Sequence, residues 1–445
     1  MTVTVHSELL CLLNLAKPRP QDASRILSLA QQIEDWDEFF ELTIQNSALI
    51  WTARQLRQID FDRSRMEQAL QKNADLERSL LERAQGRSRW AAQFLDAAFK
   101  QGIEVIVLKG GLLGSVLYGD PAYKKMNDID VLVQKSDAPR FAQLLRELRF
   151  SSVGMLLGKD EFEEDSHHCP PFVSEDLLCM VGIHWGLTSP YSVWKPDYEE
   201  IWKNRVPAQV SGVSAYRMSW EENLLHLCIH LPFFKIGVRE LADVYNLVLF
   251  AEPKLDWARF DRLVSRWKAE DAAYRVISLA NTLIECSPPQ EMLNRWEGSA
   301  SRFTLSDTQD RLKLGCALIS TRSVQIGKIE KAFSIFRITE SYSERVLAWL
   351  MTWKLTFWPS SKELPRIVAR YGTGPFGILD MIKMRLLAGS YCWRAMARDY
   401  GQLALTVITL INIGIVFRET ILRPFRKSGE SIRKHPAAKL LEALE

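Results

Sequence analysis

The sequence predicts an α+β protein in which a small mixed sheet is set between extensive N-terminal and C-terminal helices. Three observations predict it. Apolar residues recur at three- and four-residue spacings up to about residue 100. Between 103 and 185 there are short runs rich in β-branched residues, several of them next to turn signals. From Trp220 onward the helical spacing returns.

Residues 8–100 read as helices. Within 62–100, Met66, Leu70, Leu80, Leu81, Ala84, Ala91, Phe94, Leu95 and Ala98 fall mostly on one face. Glu77, Arg78, Glu82 and Arg83 lie between them on the wet face. Gly102 is the stop signal. The run IEVIVL at 103–108 reads as a buried strand entering the Gly110-Gly111 turn. A short helix at 112–118 follows and is broken by Gly119-Asp120-Pro121. A second strand is expected at 129–133, and then a helix at 136–149 with Asp137 near its start. A third strand is expected at 179–185, after a loop containing Pro170-Pro171. Helices are expected at 221–234, 238–250 and across 257–296, with a break at Pro288-Pro289 and a polar linker at 297–312. The expected division is a helical N-terminal region at 1–100, a core at 101–215, a helical domain at 216–300 and a helical C-terminal region at 301–445. A chain of 445 residues accommodates it.

The formal charge of +3 gives no support for a whole-surface nucleic-acid binder, and no sequence-specific nucleic-acid partner is expected. Seven cysteines, at 11, 169, 179, 228, 286, 316 and 392, form no CxxC and are odd in number. They read as free, mostly buried thiols in a reducing cytoplasm. The N-terminus lacks a basic region and is not a secretory signal. Residues 400–417 carry no charge and as a helix would extend about 27 Å, close to the minimum for crossing a bilayer. Gln402, Thr406, Thr409 and Asn412 nevertheless form one polar stripe, the pattern of an amphipathic helix docked on protein. The alternative is peripheral membrane contact through 400–435, where Arg423, Arg426, Lys427, Arg433 and Lys434 could meet anionic lipid. The 14 tryptophans are scattered through helices and strands and read as packing residues.

The chemistry concentrates on Asp128-Ile129-Asp130. Alternation along a strand sends both carboxylates to one face. Their repulsion is relieved by a divalent cation, and Mg²⁺ takes one or two protein carboxylates beside phosphate oxygens and water. Lys109-Gly110-Gly111 lies upstream, between a strand and a short helix. Glycines admit a phosphate close to the backbone, the helix N-terminus offers unpaired N–H groups, and Lys109 adds a point charge. Together these are the minimum equipment for phosphoryl or nucleotidyl transfer.

The run LKGGLLGSVLYGDPAYKKMNDIDVLV resembles the core of an uncharacterised nucleotidyltransferase-like family of bacterial biosynthetic clusters, within the polymerase-beta-type superfamily. The residues that carry the resemblance are Leu108-Lys109-Gly110, Tyr118, Lys124 and the strand from Asp128 to Val133. Ile33-Glu34-Asp35-Trp36, Ile183-His184-Trp185, His230 and Asp243 extend it over roughly residues 25 to 250. The resemblance implies a nucleotidyltransferase-type sheet. It implies transfer of a nucleoside monophosphate from a nucleoside triphosphate (NTP) to an acceptor nucleophile, with Mg²⁺ or Mn²⁺ as cofactor. Asp128 and Asp130 would hold the metal. Lys109, Gly110 and Gly111 would hold the β- and γ-phosphates, and Lys124 would neutralise developing charge. His184 would act as a base or ligand, and His230 would line the site with Asp243 as its orienting partner. Three departures stand out. Lys124 replaces an arginine, Gly-Gly replaces Gly-Ser, and Gly182 occupies the place of a third carboxylate, for which Glu175 or Asp176 could reach in. The alternative function is therefore a catalytically impaired module that binds nucleotide or substrate, or scaffolds a biosynthetic pathway such as that of a polysaccharide.

Two further groups invite a zinc reading and do not support one. His167, His168, Cys169, Cys179 and His184 match no finger spacing, and the first three are too close together to share an ion. They read as loop residues over the cleft, with His168 able to meet substrate. His226 and His230 share a helical face, but Leu227 stands where a metalloprotease helix has its glutamate.

Overall fold

In the computed structural model of the chain, seven strands join into one mixed sheet and helices make up most of the rest, as the α+β expectation requires. The structure describes residues 2–309, except 18, 60–63, 125, 157–160, 163–165, 189–191, 193, 231–237, 252–253, 301–303 and 306–307. The chain divides into two compact units, Met1–Thr321 and Arg322–Glu445. The expectations for 310–445, including the 400–435 segment, lie outside the described residues. Among the described residues, no helix is long and apolar enough to cross a membrane.

The strands are β1 (Ile106–Val107), β2 (Ile129–Leu132), β3 (Ser151–Ser152), β4 (Phe172–Val173), β5 (Met180–His184), β6 (Val206–Val210) and β7 (Val213–Arg217). Their order is β3-β4-β5-β2-β1-β7-β6. The β2–β5 and β1–β7 pairs are parallel, and the other pairs are antiparallel. The middle of the sheet is fully buried at Ile106, Val107, Val131, Leu132, Val181 and Ile183, the β-branched and leucine residues that mark these runs in the sequence. β1 is shorter than the 103–108 run, but hydrogen bonds from Tyr216 N to Val105 O and from Leu108 N to Asp130 O, both 2.9 Å, continue the pairing on either side of it. β6 and β7 form a hairpin that the periodicity did not announce. Its two-residue turn, Ser211-Gly212, has φ of 51° and 79°, the left-handed pair that matches strand twist. The boundary expected at 215 falls inside β7.

The long helical run before the sheet resolves into Ser64–Lys72 and Ala74–Lys100, separated at Asn73. The second helix stops where Gly102 takes φ 68° and Ile103 N reaches back to Ala98 O at 2.9 Å. The helix Lys109–Leu117 starts directly after β1 and lies close on the sheet. A Cβ built on Gly111 would stand 3.0 Å from Val107 Cγ1 and 3.2 Å from Ile129 Cγ2. Helix Thr2–Leu13 packs on Val238–Ala251 and Glu270–Ile284, so helices from both ends of the described chain interlock.

Gly111→Ala tests this close approach. Helix propensity alone predicts a gain of about 1 kcal/mol. Overpacking against Val107 and Ile129 outweighs it, and equilibrium urea unfolding should show a net loss of about 1–2 kcal/mol.

Candidate functional site

β2 is flanked by β5 and β1, and the site is assembled from the ends of these three strands. Ile129 and Val131 are buried in the core, while Asp128 and Asp130 are half-buried on the alternate positions, so the two carboxylates share a face. Asp130 Oδ2 accepts from Lys109 Nζ at 2.9 Å, and Asp130 Oδ1 lies 3.0 Å from His184 Nε2. Lys109 follows β1 and His184 ends β5, so each neighbouring strand supplies one partner.

Two local features make this possible. In the β2–β5 ladder Asp130 sits opposite Gly182. A Cβ built there would run into Asp130 Oδ1 and stand 3.2 Å from His184 Nε2. The space where a residue-182 side chain would begin is the space that the Asp130–His184 contact uses. The second feature is Lys109 itself, which has φ 44°, a left-handed value for a residue with a side chain. That conformation costs about 1–2 kcal/mol. It makes a sharp strand-to-helix elbow that turns the lysine onto Asp130. The helix it opens has no side-chain cap, so its first N–H groups have no intrahelical or capping partner.

The two aspartates are electrostatically unlike. Burial works to raise the Asp130 carboxyl, but Lys109 and His184 outweigh it and hold it well below the usual carboxylate range. Burial, together with the charge of Asp130, pushes Asp128 up to about 6. A divalent cation would remove that repulsion, so the donor set fits Mg²⁺ or Mn²⁺, with substrate oxygens and water completing the shell. Among the described residues, no group of three or more His, Cys, Asp or Glu side chains is arranged to hold a metal. The five cysteines within them, Cys11, Cys169, Cys179, Cys228 and Cys286, are buried and form no disulfide with one another.

Histidines gather beside the aspartates. The 167–169 segment runs antiparallel to the end of β5, through Cys169 N to Ile183 O at 2.8 Å and Trp185 N to His167 O at 2.9 Å. His168 and His167 therefore come within 5.1 Å and 5.8 Å of His184, ring to ring. His168 Nδ1 lies 2.7 Å from Cys169 O, which assigns the proton to Nδ1 and leaves Nε2 as an acceptor. Helix Trp220–His230 adds His226, which has His230 at 6.3 Å. His226 is buried. Burial and the charge of Lys109 push its proton affinity well down, while Asp130 opposes them. The spacing of His226 and His230 marked them as a pair, and the helix keeps their rings as neighbours.

Lys124 has a different partner from the expected phosphate. At 5% and 6% exposure, Lys124 and Asp243 are ion-paired, because neither charge is tolerable there alone. Asp243 also accepts from Tyr118 Oη at 3.0 Å, so its partners are Lys124 and Tyr118 rather than the expected His230. Asn246 Nδ2 donates to the same Tyr118 oxygen at 3.1 Å, and Asn246 Oδ1 accepts from Ala16 N at 2.7 Å. The network therefore ties helix Val238–Ala251 to the core and to the N-terminal region. A Cβ on Gly110 would lie 2.9 Å from Met126 Cγ and 3.4 Å from Lys124 Cε, so both side chains pack against the start of the helix Lys109–Leu117. Glu175 faces Arg149, and Asp176 accepts from Trp90 Nε1, Ser174 Oγ and Leu178 N, so both carboxylates are committed elsewhere.

Two outcomes follow. The folded-state pKa of Asp128 lies above its unfolded value near 3.9. The folded protein therefore binds the extra proton between about pH 4 and 6, and it loses stability as pH rises through that window. In metal-free buffer at pH 7.5, Asp128→Asn should raise stability by about 2 kcal/mol, and it should change little at pH 4. Millimolar Mg²⁺ should raise the Tm of the unsubstituted protein at pH 7.5, and should lose most of that effect at pH 5. Separately, Asp243→Ala should cost about 3–5 kcal/mol in urea unfolding, because it strands a buried ammonium. The double variant Lys124→Met/Asp243→Leu should recover much of that loss.

A family model described as an uncharacterised nucleotidyltransferase matches residues 32–305. No curated protein and no solved structure matches the chain. The family match takes in every residue of the site described above and more than half of the chain, so the protein belongs to this family of uncharacterised nucleotidyltransferases.

Proposed function

We propose that the protein transfers a nucleoside monophosphate from an NTP to an acceptor hydroxyl, phosphate or other nucleophile, with Mg²⁺ or Mn²⁺ held by Asp128 and Asp130. The observation that carries this reading is the strained Lys109 elbow. It sets an ammonium and an uncapped helix N-terminus beside two carboxylates on the next strand. The family assignment supports nucleotidyl transfer as the general reaction class.

Each residue then has a task. The N–H groups of the Lys109-Gly110-Gly111 turn receive the β- and γ-phosphates, and Lys109 shares its charge between them and Asp130. Bound cation would polarise the α-phosphate and neutralise the two carboxylates. His184 is anchored by Asp130 at Nε2 and takes the acceptor's proton on its other ring nitrogen. His168 and His230 line the approach. Lys124 acts from below the turn, through Gly110, as a support with its charge committed to Asp243.

Gly182 favours a second reading, a module that binds nucleotide with impaired catalysis. No carboxylate stands at 182, and Glu175 and Asp176 are turned elsewhere. Calorimetry with the four ribonucleoside triphosphates and Mg²⁺ tests both readings. At least one NTP should bind, and Asp128→Ala and Asp130→Ala should each weaken it at least about tenfold, the loss of one or two charged contacts. His184→Ala should leave binding within a few-fold and lower turnover by about 10²–10⁴. Binding without pyrophosphate release would select the second reading. Binding indifferent to Asp128→Ala would overturn both.

A further inference from the structure

Helix Ala74–Lys100 buries Ala84, Arg87, Ala91, Phe94, Leu95 and Ala98 along one face. Arg87 sits three residues after Ala84 and four before Ala91, in the middle of an apolar stripe. It is 8% exposed, and its Nε is buried without a hydrogen-bond partner. The other buried charge of this helix is paired. Glu77, on the same helix, is held by both Nη atoms of Arg57 at 2.8 Å. Arg87 has no hydrogen-bond or ion-pair partner among the described residues. Burial lowers its proton affinity, with Arg83 adding to the effect and Cys179 and Asp128 opposing it. Gly86 accounts for the placement. A Cβ there would stand 2.6 Å from Leu178 Cδ1, so the glycine lets the helix close on the turn leading into β5. Leu178 lies three residues before Val181, which pairs with Ile129, so that approach brings Arg87 toward the strand ends that present Asp128.

We propose that Arg87 is an anion-binding residue of this site, taking a phosphate group beside Asp128. A guanidinium in the protein interior is satisfied by an oxyanion that accepts two parallel hydrogen bonds, and no side chain of the described protein fills that role. Of the three cations brought to this region, Lys109 sits on Asp130 and Lys124 on Asp243. Arg87 alone among these three has its charge left for a ligand. The site then has two cationic ends, Lys109 at Asp130 and Arg87 at Asp128, which suits a substrate pair with phosphate on both sides of the reacting centre. The inference rests on the proposed function in taking the substrates to be phosphate-bearing. The group that Arg87 holds belongs either to the nucleotide or to the acceptor.

Thermal unfolding of the full chain in EDTA, titrated with inorganic phosphate and pyrophosphate, tests the proposal without metal or turnover. Pyrophosphate should raise the Tm of the unsubstituted protein in a saturable way. Arg87→Gln and Arg87→Met should keep or raise the ligand-free Tm, because each removes an uncompensated buried charge, and should lose the response to pyrophosphate. Arg87→Lys should retain it with at least tenfold weaker affinity. No response in the unsubstituted protein, or an undiminished one in the Gln, Met or Lys variants, overturns the assignment. Repeating the titration with saturating Mg²⁺ and a non-hydrolysable NTP locates the group. A phosphate response blocked by the nucleotide assigns Arg87 to the nucleotide, and one that persists assigns it to the acceptor. A protein that binds pyrophosphate through Arg87 in EDTA but binds no Mg²⁺-nucleotide keeps this inference and loses the nucleotidyl-transfer reading.

Discussion

A carboxylate on the central strand of a buried sheet needs positive or hydrogen-bonding partners for its oxygens, and Asp130 draws them from the strands on either side. Much of the site follows from that demand. Lys109 must turn back at the end of β1, which fixes its left-handed backbone. The His184 ring, at the end of β5, lies against Gly182, where an added Cβ would stand 3.2 Å from Nε2. The elbow strain of about 1–2 kcal/mol is comparable with one charge-assisted hydrogen bond, about 1.5–3 kcal/mol, so the Lys109–Asp130 contact is enough to offset it. Asp128, two residues earlier, has no such pair of partners and is left with a raised proton affinity.

What could be read from the sequence was local. The shared face of Asp128 and Asp130 follows from strand alternation, and the Lys109-Gly110-Gly111 turn from a strand meeting a helix. The shared face stands in the structure, whereas the helix expected from 112 begins at Lys109, so the two glycines belong to its first turn. What could not be read was set by partners far along the chain. Lys124 and Asp243 are 119 residues apart, and only the fold shows that the lysine is spent in the interior. His226 reads as one of a helical pair, and only the fold shows its burial and the charge of Lys109 acting on it. Two signals were present in the sequence and carried more than was taken from them. Ser211-Gly212 between short polar-apolar runs announces a hairpin. Arg87 breaks an apolar stripe whose seven-residue gap, from Ala84 to Ala91, it fills at the i+3 position.

The buried charges divide into two kinds. Lys124, Asp243, Tyr118 and Asn246 close a satisfied network, and its reach to Ala16 makes it a tie between the core and the surrounding helices. Groups of this kind specify packing, because removing one partner costs more than replacing the whole set. Asp128 and Arg87 are the other kind. Arg87 is buried and Asp128 half-buried, and neither forms an ion pair with the other. Arg87 Nε is one of a small set of buried polar atoms without a hydrogen-bond partner among the described residues, and the proposed phosphate would satisfy it.

This changes the meaning of Gly182. Taken alone, the missing carboxylate reads as a lost catalytic group. In the structure, a side chain at 182 and the Asp130–His184 contact compete for one volume. The glycine and the histidine contact are therefore a single substitution of one arrangement for another. A His184 imidazole hydrogen-bonded to Asp130 therefore occupies the place where a side chain at 182 would begin. His184 adds no negative charge to Asp128 and Asp130, and its contact with Asp130 is attractive where a third carboxylate's would be repulsive.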